Sequence, residues 1–207
     1  MKRHDKGGKL RILAAGDIHG DKDIAENLSR KAEKEKVDLV VLAGDLHGAF
    51  ENGDDVIEPF KKKNQKVVFV PGNWDSSEEV ELIKMKHKIK NLDGYYVNYK
   101  GVDIVGFGNP DFKLSPNEKK TIEKIGKNFD RIKLKKGKKI LVSHLHAEGS
   151  KAEFSGIRGD RGIRKAIEYF HPDLFISAHI HEAEGIEEKI GKTKVVQVGR
   201  RGKILEI

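Results

Sequence analysis

Short apolar, β-branched runs recur along the chain: residues 10–16, 37–44 and 67–72 end in Gly and lead into Asp or Asn, and 140–143 and 174–178 lead into His. Such runs predict buried strands closed by turn residues. Between them the apolar spacing becomes helical. In 21–36, Ile24, Ala25, Leu28 and Ala32 share one face, and Asp21 or Asp23 is placed to cap the start. Further helices are predicted at 54–63, 76–86, 116–129 and 163–170. The opening order of strand and helix, repeated, predicts parallel pairing with right-handed crossovers. The later chain reads differently: 95–99 with 102–107, and 185–190 with 194–198 around Gly191, predict hairpins, and 204–207 a last short strand. The expected fold class is α/β, with two mixed sheets packed face to face and helices outside.

Metal-ligand side chains follow five of these strands: Asp17 and His19, Asp45, Asn73, His144, then His179 and His181. In open α/β sheets ligands bind beyond the carboxyl ends of the strands, so all of these candidates are expected on one edge. Taken singly, Asp17 or Asp45 reads as an N-cap or Asx-turn residue, His144 as a structural histidine and Asn73 as a turn residue. Their serial occurrence points instead to a metal site. Carboxylate, imidazole and amide oxygen without thiolate suit Mn, Fe, Zn, Ni or Co, and the chain has no Cys.

The ordered series Asp17-x-His19, Gly44-Asp45, Gly72-Asn73-x-Asp75, His144 and His179-x-His181 resembles the calcineurin-like metallophosphoesterases over roughly Leu10 to Gly199. The resemblance implies a four-layer αββα sandwich, a dinuclear metal centre and phosphoester hydrolysis. It implies one ion on Asp17, His19, Asp45 and His181 and a second on Asp45, Asn73, His144 and His179. Asp45 would bridge them, its two oxygens holding cations about 3.5 to 4 Å apart. Asp45 and Asn73 thereby count as catalytic, and the implied nucleophile is a water bridging two divalent ions, Mn first among the candidates.

One position departs from the family. Many relatives carry a His directly after the metal-binding Asn, where it assists the leaving group; Trp74 stands there in this chain. Indole is no acid near neutral pH. Either the leaving group needs little protonation, or another acid is recruited, His146 first and Asp75 second, or Trp74 forms a stacking wall for a base or aromatic group. Some relatives lacking that His are associated with phosphodiesterase activity. The expected substrate is a phosphodiester or nucleotide, with a nuclease and a non-catalytic metal-bound scaffold as the alternatives.

Composition narrows the setting. The 207 residues suit one domain with a basic tail at 1–9 that lacks the apolar core of a signal peptide. No run is long enough to span a membrane, so a cytoplasmic protein is expected. Charged residues make up 36% of the chain, a pattern met in thermophile proteins. The net charge of +8 invites a nucleic-acid partner, but the Lys-rich stretches at 31–36 and 61–63 alternate with acids or fall on predicted helices, and read as solvated faces. A small phosphoester substrate is favoured over nucleic acid, and the oligomeric state is left open.

Several other residues enter as candidates or are set aside. In the loop after His144, Arg158 and Arg161 are the candidate substrate-phosphate contacts, since guanidinium matches phosphate bidentately; Asp160 reads alternatively as a helix cap. The segment 199–202, Gly-Arg-Arg-Gly, reads equally as a phosphate contact or as a tight turn. His47 reads as a loop histidine, His4 and His87 as surface residues, and His171 before Pro172 as a helix-to-strand turn.

Overall fold

In a computed structural model of the chain, residues 9–47, 55–111, 117–132 and 136–207 are described. Among them, eleven strands form two mixed sheets and five α-helices lie outside, an αββα sandwich. The first sheet contains β1 (Arg11–Ala15), β2 (Leu39–Ala43), β3 (Val67–Val70), β4 (Lys90–Asn91) and β11 (Lys203–Glu206), in the order β11-β1-β2-β3-β4. The second contains β5 (Tyr96–Tyr99), β6 (Val102–Phe107), β7 (Lys139–Ser143), β8 (Leu174–Ser177), β9 (Glu187–Ile190) and β10 (Thr193–Gln197), in the order β5-β6-β7-β8-β10-β9. Strands β1 to β4 run parallel, as do β6, β7, β8 and β10; β11, β5 and β9 are the antiparallel edges.

The continuous apolar runs follow from burial on both faces. Ile12, Ala14, Leu39, Val41, Val68 and Val70 face the second sheet and pack with Ile104, Ile140, Val142, Leu174 and Ile176. The alternate residues Leu13, Val40, Leu42 and Phe69 meet Leu28, Phe60, Val80 and Ile83 from helices α1 (Lys22–Lys34), α2 (Glu58–Lys62) and α3 (Ser77–His87). On the far side, Val105, Phe107, Leu141 and Phe175 meet Ile125, Phe129, Ile163 and Ile167 from α4 (Glu118–Ile132) and α5 (Arg161–Phe170).

Helix starts are set by short polar side chains. Asp21 accepts from Ile24 N at 3.0 Å to open α1, Ser76 and Glu79 form a capping box on α3, and Asp160 accepts from Ile163 N at 2.8 Å to open α5. His171, at φ 48°, closes α5 before Pro172, the turn expected there.

Three details depart from expectation. The helix expected at 54–63 begins only at Glu58, because Asp55 accepts from Ile57 N and Glu58 N and holds the chain in a turn; Asp54 lies outside the described residues. The helix expected at 116–129 runs on to Ile132, whose side chain is buried, and Pro116 lies outside the described residues. Strand β4 has no counterpart among the expected elements, since two residues carry no pattern to read. His4 and most of the basic tail also lie outside the described residues. Among the described residues, no helix is long and apolar enough to cross a membrane.

Phe69, fully buried on the helix-facing side of the first sheet, tests the layer assignment. Phe69→Ala should lower unfolding free energy by about 3 to 5 kcal/mol in denaturant titrations; a loss below about 1 kcal/mol would contradict the packing described.

Candidate metal centre

The parallel strands of both sheets deliver their carboxyl ends to one edge, and the chain turns sharply there. Asp17, His19, Asp45 and His179 adopt φ of 56°, 50°, 51° and 73°, left-handed values that non-glycine residues adopt at a cost of about 1 to 3 kcal/mol each. Hydrogen bonds between the loops support these turns: Asp17 N to Gly44 O at 3.0 Å, His19 N to Asp45 O at 2.9 Å, Gly20 N to Leu46 O at 2.8 Å and Ala178 N to His144 O at 3.0 Å. His179 N also donates to the Asp17 carboxylate at 3.2 Å, tying the two sheets together at the site.

Two groups of ligand atoms result. Asp17, His19 and His181 form one, and Asp45, His144 and His179 the other, with the atoms of each group within 4.8 Å of one another. In the first, His19 Nε2 lies 3.3 Å from His181 Nε2, and His181 opens to solvent. In the second, His144 Nε2 lies 2.9 Å from Asn73 Oδ1, 3.1 Å from His179 Nδ1 and 3.2 Å from Asp45 Oδ2. Every sequence-expected ligand is thus in one of the two groups or, for Asn73, against one.

Asp45 stands between them in a particular way. Its Oδ1 accepts from Trp74 N at 2.9 Å, while Oδ2 lies 3.2 Å from His144 Nε2 and 3.8 Å from His19 Nε2. One oxygen faces both groups, whereas the expectation from sequence divides the two oxygens between two cations; the backbone N–H of Trp74 engages the other.

The donor set fits a cation. His144 Nδ1 is 2.9 Å from Ala43 O, and since a carbonyl only accepts, Nδ1 carries the hydrogen. A neutral His144 then points the Nε2 lone pair at Asn73 Oδ1 and Asp45 Oδ2, and only a proton or a metal can reconcile these electron pairs. The electrostatics show the same demand. Burial pushes the His144 imidazole down, but Asp45 by hydrogen bond and charge, then Asp17, raise it to about 9. Burial raises the Asp17 carboxyl to about 6, opposed by His144 and reinforced by Asp45. Burial, with His144 beside it, lowers His179 to about 4, leaving it neutral and ready to ligate. Burial acts upward on Asp45 too, yet the hydrogen bond and charge of His144 and the Trp74 N–H hold it below the usual carboxylate range.

Glycine is required where these loops touch. A Cβ on Gly44, at φ 88°, would lie 2.6 Å from His144 Nδ1 and 2.7 Å from Gly72 Cα, and one on Gly72 would collide with Asp45 Oδ1 and N.

The sequence profile of the calcineurin-like phosphoesterase family matches residues 10–183. The chain belongs to this family. No curated protein sequence matches it. Among solved structures it is similar to TT1561 of Thermus thermophilus, at 18% identity over 96% of this chain and 99% of that one, with a TM-score of 0.71. A dimetal phosphatase from Danio rerio is similar at 12% identity, covering 93% of this chain and 88% of that one, TM-score 0.58. A structure described as a novel archaeal phosphodiesterase is similar at 15% identity, covering 96% and 100%, TM-score 0.54. At these identities they establish a shared fold.

Around the phosphoesterase edge, other expected residues take different positions. Trp74 is 41% exposed, its ring edge-on to His19 with centroids 6.2 Å apart, so it lies at the mouth and not in the core. Asp75 is buried and accepts from Leu46 N, His47 N and Gly72 N at 2.7 to 2.9 Å, pinning the Asp45 and Asn73 loops together. His47 packs on the same carboxylate at 3.1 Å, and despite burial that contact raises its pKa.

His146 stacks on His179, centroids 6.2 Å apart, with Nε2 3.2 Å from Ile157 O. Burial lowers its pKa, and since a carbonyl only accepts, Nε2 carries the hydrogen donated to Ile157 O. Arg158 pairs with Glu148, and Arg161 with Glu118 at 3.2 Å and Glu148 at 3.9 Å. Asp160 is the cap of α5, as its alternative reading had it. His87, expected at the surface, is largely covered and lies 2.8 Å from Asp55 Oδ2, 32 residues away.

Two expectations follow. Gly72→Ala should abolish binding of at least one ion while the protein still folds, checked by metal analysis beside circular dichroism; full metal content would contradict the close approach. Below about pH 9 a cation must displace the His144 proton, so metal affinity should rise with pH through the neutral range and binding should release protons. The sign for stability is opposite without metal: a pKa raised from 6.5 to about 9 stabilises the metal-free fold fully below 6.5, and that stability is lost as pH climbs through 9. Calorimetry in buffers of different ionisation enthalpy measures the release; heats independent of buffer would contradict it.

Proposed function

We propose that this chain is a dinuclear metal-dependent phosphoesterase acting on phosphodiesters or nucleotides in preference to simple monoesters. The observation that carries the reading is the single Asp45 oxygen facing both ligand groups. Asp17, His19, Asp45 and His181 would hold one ion, and Asp45, Asn73, His144 and His179 the other, with Mn first among Mn, Fe, Ni, Co and Zn. When bound, such a pair supplies an acidified water and neutralises phosphoryl charge.

The chain's own residues support the remaining steps. Asp45 is held for its task by Trp74 N, and His144 by Ala43 O, so both are positioned before substrate arrives. Trp74 offers an exposed ring beside His19 on which a base or aromatic group can stack. His146 has its N–H committed to Ile157 O and Asp75 is occupied by backbone donors, so neither is free to protonate a departing alkoxide. Substrates whose leaving group departs as a stable anion are therefore favoured. Arg158 and Arg161 are proposed as rim contacts. Their exposed ion pairs are worth about 0 to 1 kcal/mol, so a phosphate can displace Glu148 or Glu118 at little cost.

The test is hydrolysis of bis-p-nitrophenyl phosphate beside p-nitrophenyl phosphate, after EDTA treatment and with Mn²⁺, Ni²⁺ or Zn²⁺ restored in turn. Metal-dependent turnover favouring the diester is expected, and Asp45→Asn should lower it by about 10²- to 10³-fold or more. Full turnover in Asp45→Asn would overturn the mechanism. Protein that binds two ions yet hydrolyses neither ester would instead favour a metal-bound scaffold.

A further inference from the structure

The turn from β10 to β11 carries the chain from one sheet to the other directly over the metal-ligand edge, and it holds two arginines with different fates. Arg201 is engaged by Glu184, with Nε 3.2 Å from Oε2. Arg200 reaches the other way: its Nε donates to the Asp17 backbone carbonyl at 2.8 Å. Among the described residues no carboxylate pairs with Arg200, in contrast to Arg158, Arg161 and Arg201.

The turn itself is fixed. Gly202 N donates to Gly199 O at 3.2 Å, Gly16 N donates to the same oxygen at 3.2 Å, and Lys31 Nζ donates to Arg201 O and Gly202 O at 3.0 and 2.7 Å. A guanidinium has five N–H donors in a rigid fork. With Nε engaged by Asp17 O, the two terminal nitrogens keep four, on an exposed side chain beside a candidate ligand.

We propose that Arg200 is a guanidinium that binds a non-bridging oxygen of the substrate phosphoryl group, on the Asp17 and His19 side of the centre, in addition to the rim contacts of Arg158 and Arg161. The inference rests on the dinuclear phosphoesterase reading above. The fork suits a phosphate oxygen, and an anion arriving there meets a cation with which, among the described residues, no carboxylate pairs. Trp74 stands against the same His19, so phosphoryl group and organic substituent would be recognised around one histidine.

The experiment measures inorganic phosphate binding to Mn²⁺-loaded full-length protein by calorimetry, with metal content determined separately. Arg200→Ala should weaken phosphate about 10- to 100-fold, the loss of one charge-assisted contact, with metal content unchanged; Arg200→Lys should recover part, and Arg201→Ala should stay within about twofold of wild type. Arg200→Gln keeps an N–H for the Asp17 carbonyl without the charge. Should Arg200→Ala lose ions, Arg200→Gln decides: ions retained with phosphate weakened supports the proposal. Ions retained with phosphate bound as in wild type reduces Arg200 to an anchor for the turn and overturns it. That result, with wild-type hydrolysis intact, leaves the dinuclear reading standing, whereas wild-type protein binding neither ions nor phosphate overturns both.

Discussion

Oxygen electron pairs of Asn73 Oδ1 at 2.9 Å and Asp45 Oδ2 at 3.2 Å, with His179 Nδ1 at 3.1 Å, meet around one buried nitrogen, His144 Nε2, from three separate parts of the chain. Out of water, such a convergence is repulsive unless something positive sits in it. A proton satisfies it in the metal-free protein, which is the physical meaning of an imidazole raised to about 9 despite complete burial. A divalent cation satisfies it more fully, because it can take several donors at once. The four left-handed backbone turns and the glycines at 44 and 72 make sense as the geometry needed to bring these pairs together.

The sandwich makes that convergence possible. Parallel strands of both sheets end on one edge, and the apolar layers behind them hold the loops in register. Asp75 is part of the same construction: its carboxylate links the loop after β2 to the loop after β3 through three backbone N–H groups, so Asp45 and Asn73 are fixed relative to each other. On the open side the surface changes character, with Trp74, His181 and Arg200 exposed at the mouth. A buried, pre-positioned interior beside an exposed polar and aromatic rim suits a centre that accepts a small charged substrate from water.

The clustering of Asp and His candidates at one edge and the sandwich were legible in the sequence for related reasons. Strands buried on both faces read as unbroken apolar runs, and metal ligands come from few residue types, so strand ends carrying Asp, Asn and His stand out. Residues whose behaviour depends on a distant partner were not legible. His87 looked exposed because Asp55, which covers it, is 32 positions away. Asp75 looked like a possible acid because its three backbone donors are visible only in the fold. Arg158 and Arg200 have the same chemistry in sequence; Glu148 beside one and the Asp17 carbonyl beside the other separate them. His146 kept its place beside the centre, yet its hydrogen bond to Ile157 O bears on whether it can donate a proton.

The most direct test of the two-ion account is anomalous diffraction from crystals of Mn²⁺-loaded protein. Two peaks about 3.5 to 4 Å apart are predicted, one against Asp17, His19 and His181, the other against Asn73, His144 and His179, with Asp45 reaching both. A single peak, or ions bound away from Asp45, would contradict it.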